Sequence, residues 1–416
     1  MALEFNKIVE QVQKMSHMLD QLDFDLGARL AVARERFANP PPLATIRRRV
    51  ALVQSPEVSG YRGAIPLEGD AYEPVNAVFP PPPLPPSATI IAADGSQIYP
   101  NEQMAFHYYL INVGLFVYHH GTSRVPEQLT IPRLAFHKDH VHDVRGRVIS
   151  ARTVDARRTV REMQELGRLA WEKRGEARPL IALYDNHLLF GVNADVIGHK
   201  AIMRAYMGAL VHLHDSGALL AGYVDNPVRS RVMIRLLYLL SLSDEDVLHA
   251  DLSSGGDLEG LKDIHLFNSV LRPGERSAIM VQNSPRNLEY KAGPGGGASY
   301  EVAFFYLKTS SGYQSALARV DIPMWVARDK QAVDELHALL VAQCAMQGRN
   351  PYPYALTRAD ELAVVTGRDK QKLEDMINVE LRKRGVEPVR FTAKDWGKAL
   401  ARSPKRKHDM GKVGSV

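Results

Sequence analysis

Residues 88–96 read ATIIAADGS and residues 179–185 read PLIALYD. Each is a short apolar run, bounded by turn formers, of the kind that makes a strand buried on both faces, and each ends in an aspartate, Asp94 and Asp185. The first strand is expected over Ala88 to Ala93 and to stop at Asp94-Gly95-Ser96. Between the two runs lie strand-like stretches from His107 to His119 and from Gln128 to His137, joined by the turn residues His120-Gly121-Thr122-Ser123. A helical stretch from Val154 to Lys173 then leads into the second run. A hairpin plus a crossover helix is long enough to let the two runs pair in parallel. Further on, helix is expected at about Ala194 to Ser216, strand at Ala218 to Val224 and helix at Arg229 to Leu240. This succession predicts an α/β protein with a mixed sheet flanked by helices.

In an open α/β sheet, side chains leave the core at the carboxyl ends of the strands, so parallel neighbours would bring Asp94 and Asp185 into one crevice. Carboxylates gathered there repel one another unless protons or divalent cations neutralise them, which is the chemistry of an oxygen-liganded Mg²⁺ or Mn²⁺ site. The competing reading is that each aspartate caps a helix or forms a turn. The connecting helix offers a third acid. Arg158 and Glu162 stand at i, i+4, as do Arg161 and Glu165, so either glutamate could face the sheet edge with an arginine supporting it.

The rest of the chain bounds these readings. Its 416 residues suggest two or three domains at about 150 residues each. The composition, 45% hydrophobic and 24% charged, is that of a globular protein. No run approaches the roughly 18 apolar residues of a membrane span, and the first residues lack a signal-peptide core, so a cytoplasmic protein is expected. The single cysteine, Cys344, excludes an internal disulfide and zinc fingers and reads as a core residue. The Gly293 to Gly297 run, GPGGG, lacks the continuation of a phosphate-binding loop, so ATP hydrolysis would have to come from another chain. Histidines 137, 140 and 142 read as a solvated loop, and Arg47-Arg48-Arg49 as surface charge.

The net charge of +5 belongs to the segment from Ala393 to Val416, which has seven cations and two anions; elsewhere 45 cations balance 45 anions. This tail, with Lys405, Arg406 and Lys407, either touches phosphates or keeps a disordered end solvated. At the other end, Phe5, Ile8, Val12, Met15, Leu19, Leu22 and Leu26 recur at spacings of three and four, a helical seam that needs a partner surface. Pro40 to Pro42 ends that helix and is expected to detach it from the body. The expected organisation is an N-terminal helix over 1–38, a Pro-rich linker over 39–87 and a main domain over 88–392. The main domain carries a loop-rich insertion at about 243–300, strands at Val302 to Lys308 and Gln314 to Asp321, and closing helices at Leu356 to Thr366 and Lys370 to Arg384. The basic tail occupies 393–416.

The phrase AADGSQIYP, the helix RRTVREMQEL, the strand PLIALYD and the late segment NPYPYALTRADELAVV together resemble the NurA nucleases from about Ile90 to Arg384. The resemblance implies an RNase H-like fold and a homodimeric deoxyribonuclease with two Mn²⁺ or Mg²⁺ ions. It also implies work beside a HerA-type hexameric ATPase in DNA end processing, in repair or in defence against foreign DNA. By similarity Asp94 is the first-strand acid, Glu162 the helix acid, Asp185 the fourth-strand acid and Tyr352 the late tyrosine. Two positions depart from the pattern. Asp185-Asn186-His187 replaces Asp-Gly-Ser, and Asp360 stands where a histidine is usual, which preserves a hard-cation ligand but not an imidazole. Asp94, Glu162, Asp185 and Asp360 would then be the metal ligands, and Tyr352 would orient a phosphate or ligand oxygen. The alternative is a catalytically weakened adaptor of the same fold that binds DNA or the ATPase without cutting, a reading that the substitution at Asp360 favours.

Overall fold

A computed structural model of the chain describes residues 5–55, 58–102, 104, 106–291, 300–310, 316–348 and 350–386, with the side chains of residues 17–24 outside that description. The basic tail with Lys405, Arg406 and Lys407, the GPGGG run and the seam positions Leu19 and Leu22 all fall outside the described side chains.

The centre is a single sheet. Its main strands are β1 (Ala88–Ile98), β2 (Tyr109–His120), β3 (Glu127–Ala135), β4 (Leu180–Tyr184), β5 (Leu219–Asp225), β6 (Val302–Lys308) and β7 (Leu317–Pro323). They lie in the order β3-β2-β1-β4-β5-β7-β6. β1, β4 and β5 run parallel, and β2 and β3 fold back antiparallel as a meander. A three-strand meander followed by two parallel strands on the other side of the first strand is the RNase H-like arrangement. β7 and β6 extend it with two further antiparallel strands.

The helices are α1 (Val9–Ala38), α2 (Leu43–Gln54), α3 (Ala151–Glu172), α4 (His199–Asp215), α5 (Val232–Leu239), α6 (Lys330–Ala345), α7 (Tyr354–Ala363) and α8 (Gly367–Lys383). Val154, Met163, Leu166 and Ala170 make a buried stripe on α3, so that α3, with α4 beside it, covers one face of the sheet. Ser150 caps the start of α3 by accepting the Thr153 amide. The opposite face is covered by α7, α6, α5 and the C-terminal part of α1. Cys344 lies in this second core layer, where burial pushes its thiol up to about 12.

Four expectations need correction. β1 does not stop at Asp94. It continues to Ile98, because β2 is long enough to pair with it from Ala88↔His120 to Ile98↔Leu110, while parallel pairing with β4 ends at Ala93↔Tyr184. The region expected as a linker, 39–87, is knitted into the body. Residues Ala64–Pro66 and Val78–Phe79 pair as strands, α2 packs through Ile46, Val50 and Val53, and Glu73 accepts two hydrogen bonds from the buried Arg276 guanidinium at 2.8 and 2.9 Å. Of the arginines read as surface charge, Arg47 and Arg48 are exposed, and Arg48 and the half-buried Arg49 pair with Asp244. The loop-rich insertion contains helices at Asp244–His249, Asp263–Val270 and Pro285–Lys291. The Asp263 carboxylate is buried and accepts the amides of Val232, Met233 and Ile234 at the start of α5.

The proline break after α1 also does not detach that helix. Ala33 and Phe37 are buried, and the Phe37 ring meets Phe267 edge-on at 5.8 Å. Arg36 forms two hydrogen bonds to Asp257, and Arg29 donates to the Glu259 carbonyl. The N-terminal part of α1 is different: Val9, Val12 and Met15, with the preceding Phe5, are exposed. Because Phe37 anchors the helix in the core, Phe37→Ala should lower the unfolding free energy by about 3 kcal/mol in denaturant titrations. A loss below about 1 kcal/mol would mean that α1 does not depend on this contact.

Candidate active site

The parallel pairing of β1 with β4 sets the level of the site. Ala93 faces Tyr184 across the ladder, so the next residues, Asp94 and Asp185, emerge side by side where β4 ends. β5 ends at the same edge with Asp225, a third strand-end acid that the sequence reading overlooked by closing the strand at Val224. The signal was present in the run LLAGYVD, which repeats the apolar strand ending in aspartate.

α3 brings Glu162 to this edge, and Gly95 makes the approach possible. A Cβ at position 95 would lie 2.3 Å from Glu162 Oε1. Glu162 is 2% exposed, and its Oε1 has no hydrogen-bond partner, although Arg158 Nε stands 3.3 Å away. Arg158 also donates to the Gly95 carbonyl at 3.0 Å, tying the helix to the strand end. Glu165, the other candidate, is held by Arg161 and Arg168 instead.

α7 closes the site from the opposite face. It lies against β2 at Gly114, the partner of Asp94, where a Cβ would meet the Ala359 carbonyl at 2.4 Å. Asn112 and Ser96 donate to the Ala363 carbonyl at 2.9 and 2.5 Å and fix the end of the helix. Asp360 on α7 lies close enough to Asp94, and Tyr352, just before α7, close enough to Asp185, to shift the titration of each. The Tyr352 ring rests edge-on against Tyr223 of β5 at 5.3 Å. In the Asp-Gly-Ser motif, therefore, Asp94 supplies the acid, Gly95 makes room for Glu162, and Ser96 pins the helix that carries Asp360. All five residues singled out from the sequence, Asp94, Glu162, Asp185, Tyr352 and Asp360, come to one crevice.

The crevice is short of positive charge. Burial, followed by the Glu162 and Asp185 carboxylates and the bond to Asp360, pushes Asp94 up to about 7 against the opposing Gly95 amide, which donates to it at 2.7 Å. Burial also raises Glu162, which Arg158 and Tyr184 only partly offset. Asp185 is raised by burial and by Asp360 and Asp225, with the Tyr352 hydroxyl opposing. Burial raises Asp225, and burial with the Asp185 charge raises Tyr352. Among the described residues, no three His, Cys, Asp or Glu side chains converge at metal-ligand spacing. The donor set nonetheless suits a hard divalent cation: it is all oxygen, it holds more acid than the neighbouring arginine neutralises, and it includes the buried Glu162 Oε1, which accepts no hydrogen bond.

The departure at Asn186-His187 has its own geometry. Asn186 Oδ1 accepts the His187 amide at 2.8 Å, and His187 Nδ1 lies 2.9 Å from the buried Asp321, which Arg319 holds at 2.7 Å. The histidines of the 137–142 stretch lie elsewhere: His140 sits in the short helix Lys138–Val141, and His142 Nε2 is 2.9 Å from His107 Nδ1.

A family model for the NurA domain matches residues 88–365, well over half of the chain. The chain belongs to the NurA domain family. No curated protein matches it in sequence. Solved structures similar to it include the NurA nuclease from Sulfolobus solfataricus, at 14% identity and a TM-score of 0.43 over 71% of this chain and 85% of that one. A structure of NurA with manganese is 12% identical, with a TM-score of 0.37 over 90% of this chain and 98% of that one. The catalytic domain of human endonuclease V is 12% identical, with a TM-score of 0.31 over 81% of this chain and 99% of that one.

The Asp94 value yields a signed pH dependence. It lies above the ordinary 3.8, so folding favours the protonated form; that stabilisation is complete below about 3.8 and is lost as pH rises through about 7. In chelator-treated protein, Asp94→Asn should therefore melt above wild type at about pH 8 and lose most of that advantage at about pH 5. An equal shift at both pH values, or a lower melting temperature at the higher one, would contradict the assignment.

Proposed function

We propose that this chain is a metal-dependent deoxyribonuclease that hydrolyses phosphodiester bonds. Membership of the NurA domain family supports a nuclease. The observation that carries the reading is the meeting of Asp94, Glu162 and Asp185, from three separate elements, with Glu162 Oε1 accepting no hydrogen bond and Asp94 pushed up to about 7. Asp94, Glu162, Asp185 and Asp360 would hold Mn²⁺ or Mg²⁺, two ions in this reading. When bound, such ions would activate water and stabilise the charge that develops on the phosphate.

The residues of the chain itself have definable parts. Asp94, raised by burial and by its acidic neighbours, and Asp360 beside it would both serve as oxygen ligands to such an ion. The Tyr352 hydroxyl, which lowers Asp185 against its other neighbours, would orient that carboxylate, with Tyr223 supporting the ring. Arg158 opposes the acid charge from the helix side and keeps Glu162 in place. Asp225 lies close enough to raise Asp185, which makes it a further acid at the same edge. That Asp360 is near enough to Asp94 to raise it supports the enzyme reading over the adaptor.

A HerA-type hexameric ATPase partner and a homodimeric state are part of this reading. The exposed Phe5, Val9, Val12 and Met15 offer an apolar face for such contacts. The tail residues Lys405, Arg406 and Lys407 would add phosphate contacts. The reading places the protein in the cytoplasm, in DNA end processing, repair or defence against foreign DNA.

Purified protein should degrade DNA with Mn²⁺ or Mg²⁺ and not in EDTA. Asp94→Asn and Asp185→Asn should each reduce the rate at least about a hundredfold, in line with losing a group that organises transition-state charge. Cleavage that persists in chelator, or full activity in both variants, would remove the metal-dependent reading.

A further inference from the structure

Two arginine–glutamate pairs stand three residues apart on α3 at the same i, i+4 spacing, and they are built differently. Glu165 is fully engaged: Arg161 pairs with one carboxylate oxygen, and Arg168 Nε donates to the other at 2.7 Å. Glu162 is not. Its side chain is 3% exposed and Arg158 Nε stands 3.3 Å from its Oε1, yet the two atoms form no hydrogen bond. Both atoms are buried, so Nε keeps a proton with no acceptor and Oε1 keeps its lone pairs with no donor, although the two lie within reach of each other.

Arg158 is anchored elsewhere. Its Nη1 donates to the Gly95 carbonyl at 3.0 Å, and with that bond made it meets Glu162 through charge alone, without the aligned hydrogen bond that makes such a pair strong. Among the described residues it is also the only cation in an ion pair with Asp94, Glu162, Asp185 or Asp360. Burial raises Glu162 and Asp185, and Arg158 opposes the rise at both. A pair that served only to bury Glu162 would close its hydrogen bonds as the Glu165 pairs do, because a buried acceptor left without a donor is unfavourable. A divalent ion on Oε1 would satisfy the oxygen that Arg158 leaves open.

We propose that Arg158 is a stand-in cation: it neutralises Glu162 while the crevice is empty, yields the carboxylate to a divalent ion, and so sets the metal concentration at which the site loads. This inference rests on the metal-dependent reading of the crevice and adds the regulation of that site. The bond to the Gly95 carbonyl lets the guanidinium release Glu162 without leaving the strand end. In the empty protein Arg158 relieves repulsion among the acids, whereas in the loaded protein it is a like charge beside the ion. The arrangement therefore stabilises the empty fold and weakens metal binding. The opposite role, in which Arg158 orients Glu162 for the metal, predicts the opposite sign when the arginine is removed.

The experiment titrates the full chain with Mn²⁺ at pH 8, where protons compete least, and follows free Mn²⁺ by electron paramagnetic resonance, with melting temperatures taken in EDTA and at saturating Mn²⁺. Arg158→Gln should bind Mn²⁺ roughly tenfold more tightly, the size expected for removing a unit charge from beside a divalent ion even at the dielectric of water. It should melt below wild type in EDTA and gain more than wild type from Mn²⁺. Glutamine suits a helix and Arg158 is partly exposed, so the variant should fold, which a cooperative melt in EDTA would establish. Arg158→Lys keeps the charge and should bind Mn²⁺ as wild type does. Weaker or unchanged Mn²⁺ binding in Arg158→Gln, in a protein that loses Mn²⁺ with Asp94→Asn, would overturn the stand-in role and leave the metal site standing. Mn²⁺ binding that Asp94→Asn leaves unchanged would instead remove the metal reading of the crevice, and the stand-in role with it.

Discussion

Carboxylates at the mouth of the sheet have too few cations to neutralise them, and most of the local architecture serves to hold them there. Asp94 and Asp185 are fixed by the parallel β1–β4 ladder, which ends one residue before both. Glu162 is pressed against Gly95 from one face, and Asp360 reaches Asp94 from the other. Arg158 is the cation paired with Glu162, and it is partly occupied by the Gly95 carbonyl. Gathering buried carboxylates at one strand edge is unfavourable for folding alone, which is why their pKa values rise.

The sheet accommodates this by splitting the work of β1. On its β4 side the strand is short and delivers an acid; on its β2 side it continues to Ile98 and stays rigid. The continued pairing is why Ser96 and Asn112 can both reach the end of α7, and thus why Asp360 and Tyr352 are brought into the crevice from more than two hundred residues away in sequence. Support for a site comes here from ordinary ladder hydrogen bonds and two close glycine contacts.

Much of this was legible in the sequence because the decisive strands are apolar, short and end in charge. ATIIAAD and PLIALYD carry their own boundaries, and the i, i+4 arginine and glutamate pairs marked the face of α3 that turns inward. Local pattern could not tell Glu162 from Glu165, since the choice depends on where Gly95 lies in space. It also could not place Asp225, whose relevance arises only once β5 joins the sheet. The reach of β1 beyond Asp94 was hidden because Asp-Gly is a turn former unless a long partner strand holds it extended. The docking of α1 was missed for a similar reason: a proline break ends a helix but does not determine what the preceding turn packs against, and Phe37 finds Phe267. α6, from Lys330 to Ala345, lacks a sharp amphipathic pattern because it is buried on much of its circumference.

The most direct test of the account is anomalous diffraction from crystals soaked in Mn²⁺. The account predicts anomalous density in contact with the carboxylates of Asp94, Glu162 and Asp185 in the wild-type protein, and its loss in Asp94→Asn. Manganese bound elsewhere, with this crevice empty in protein that degrades DNA, would contradict it.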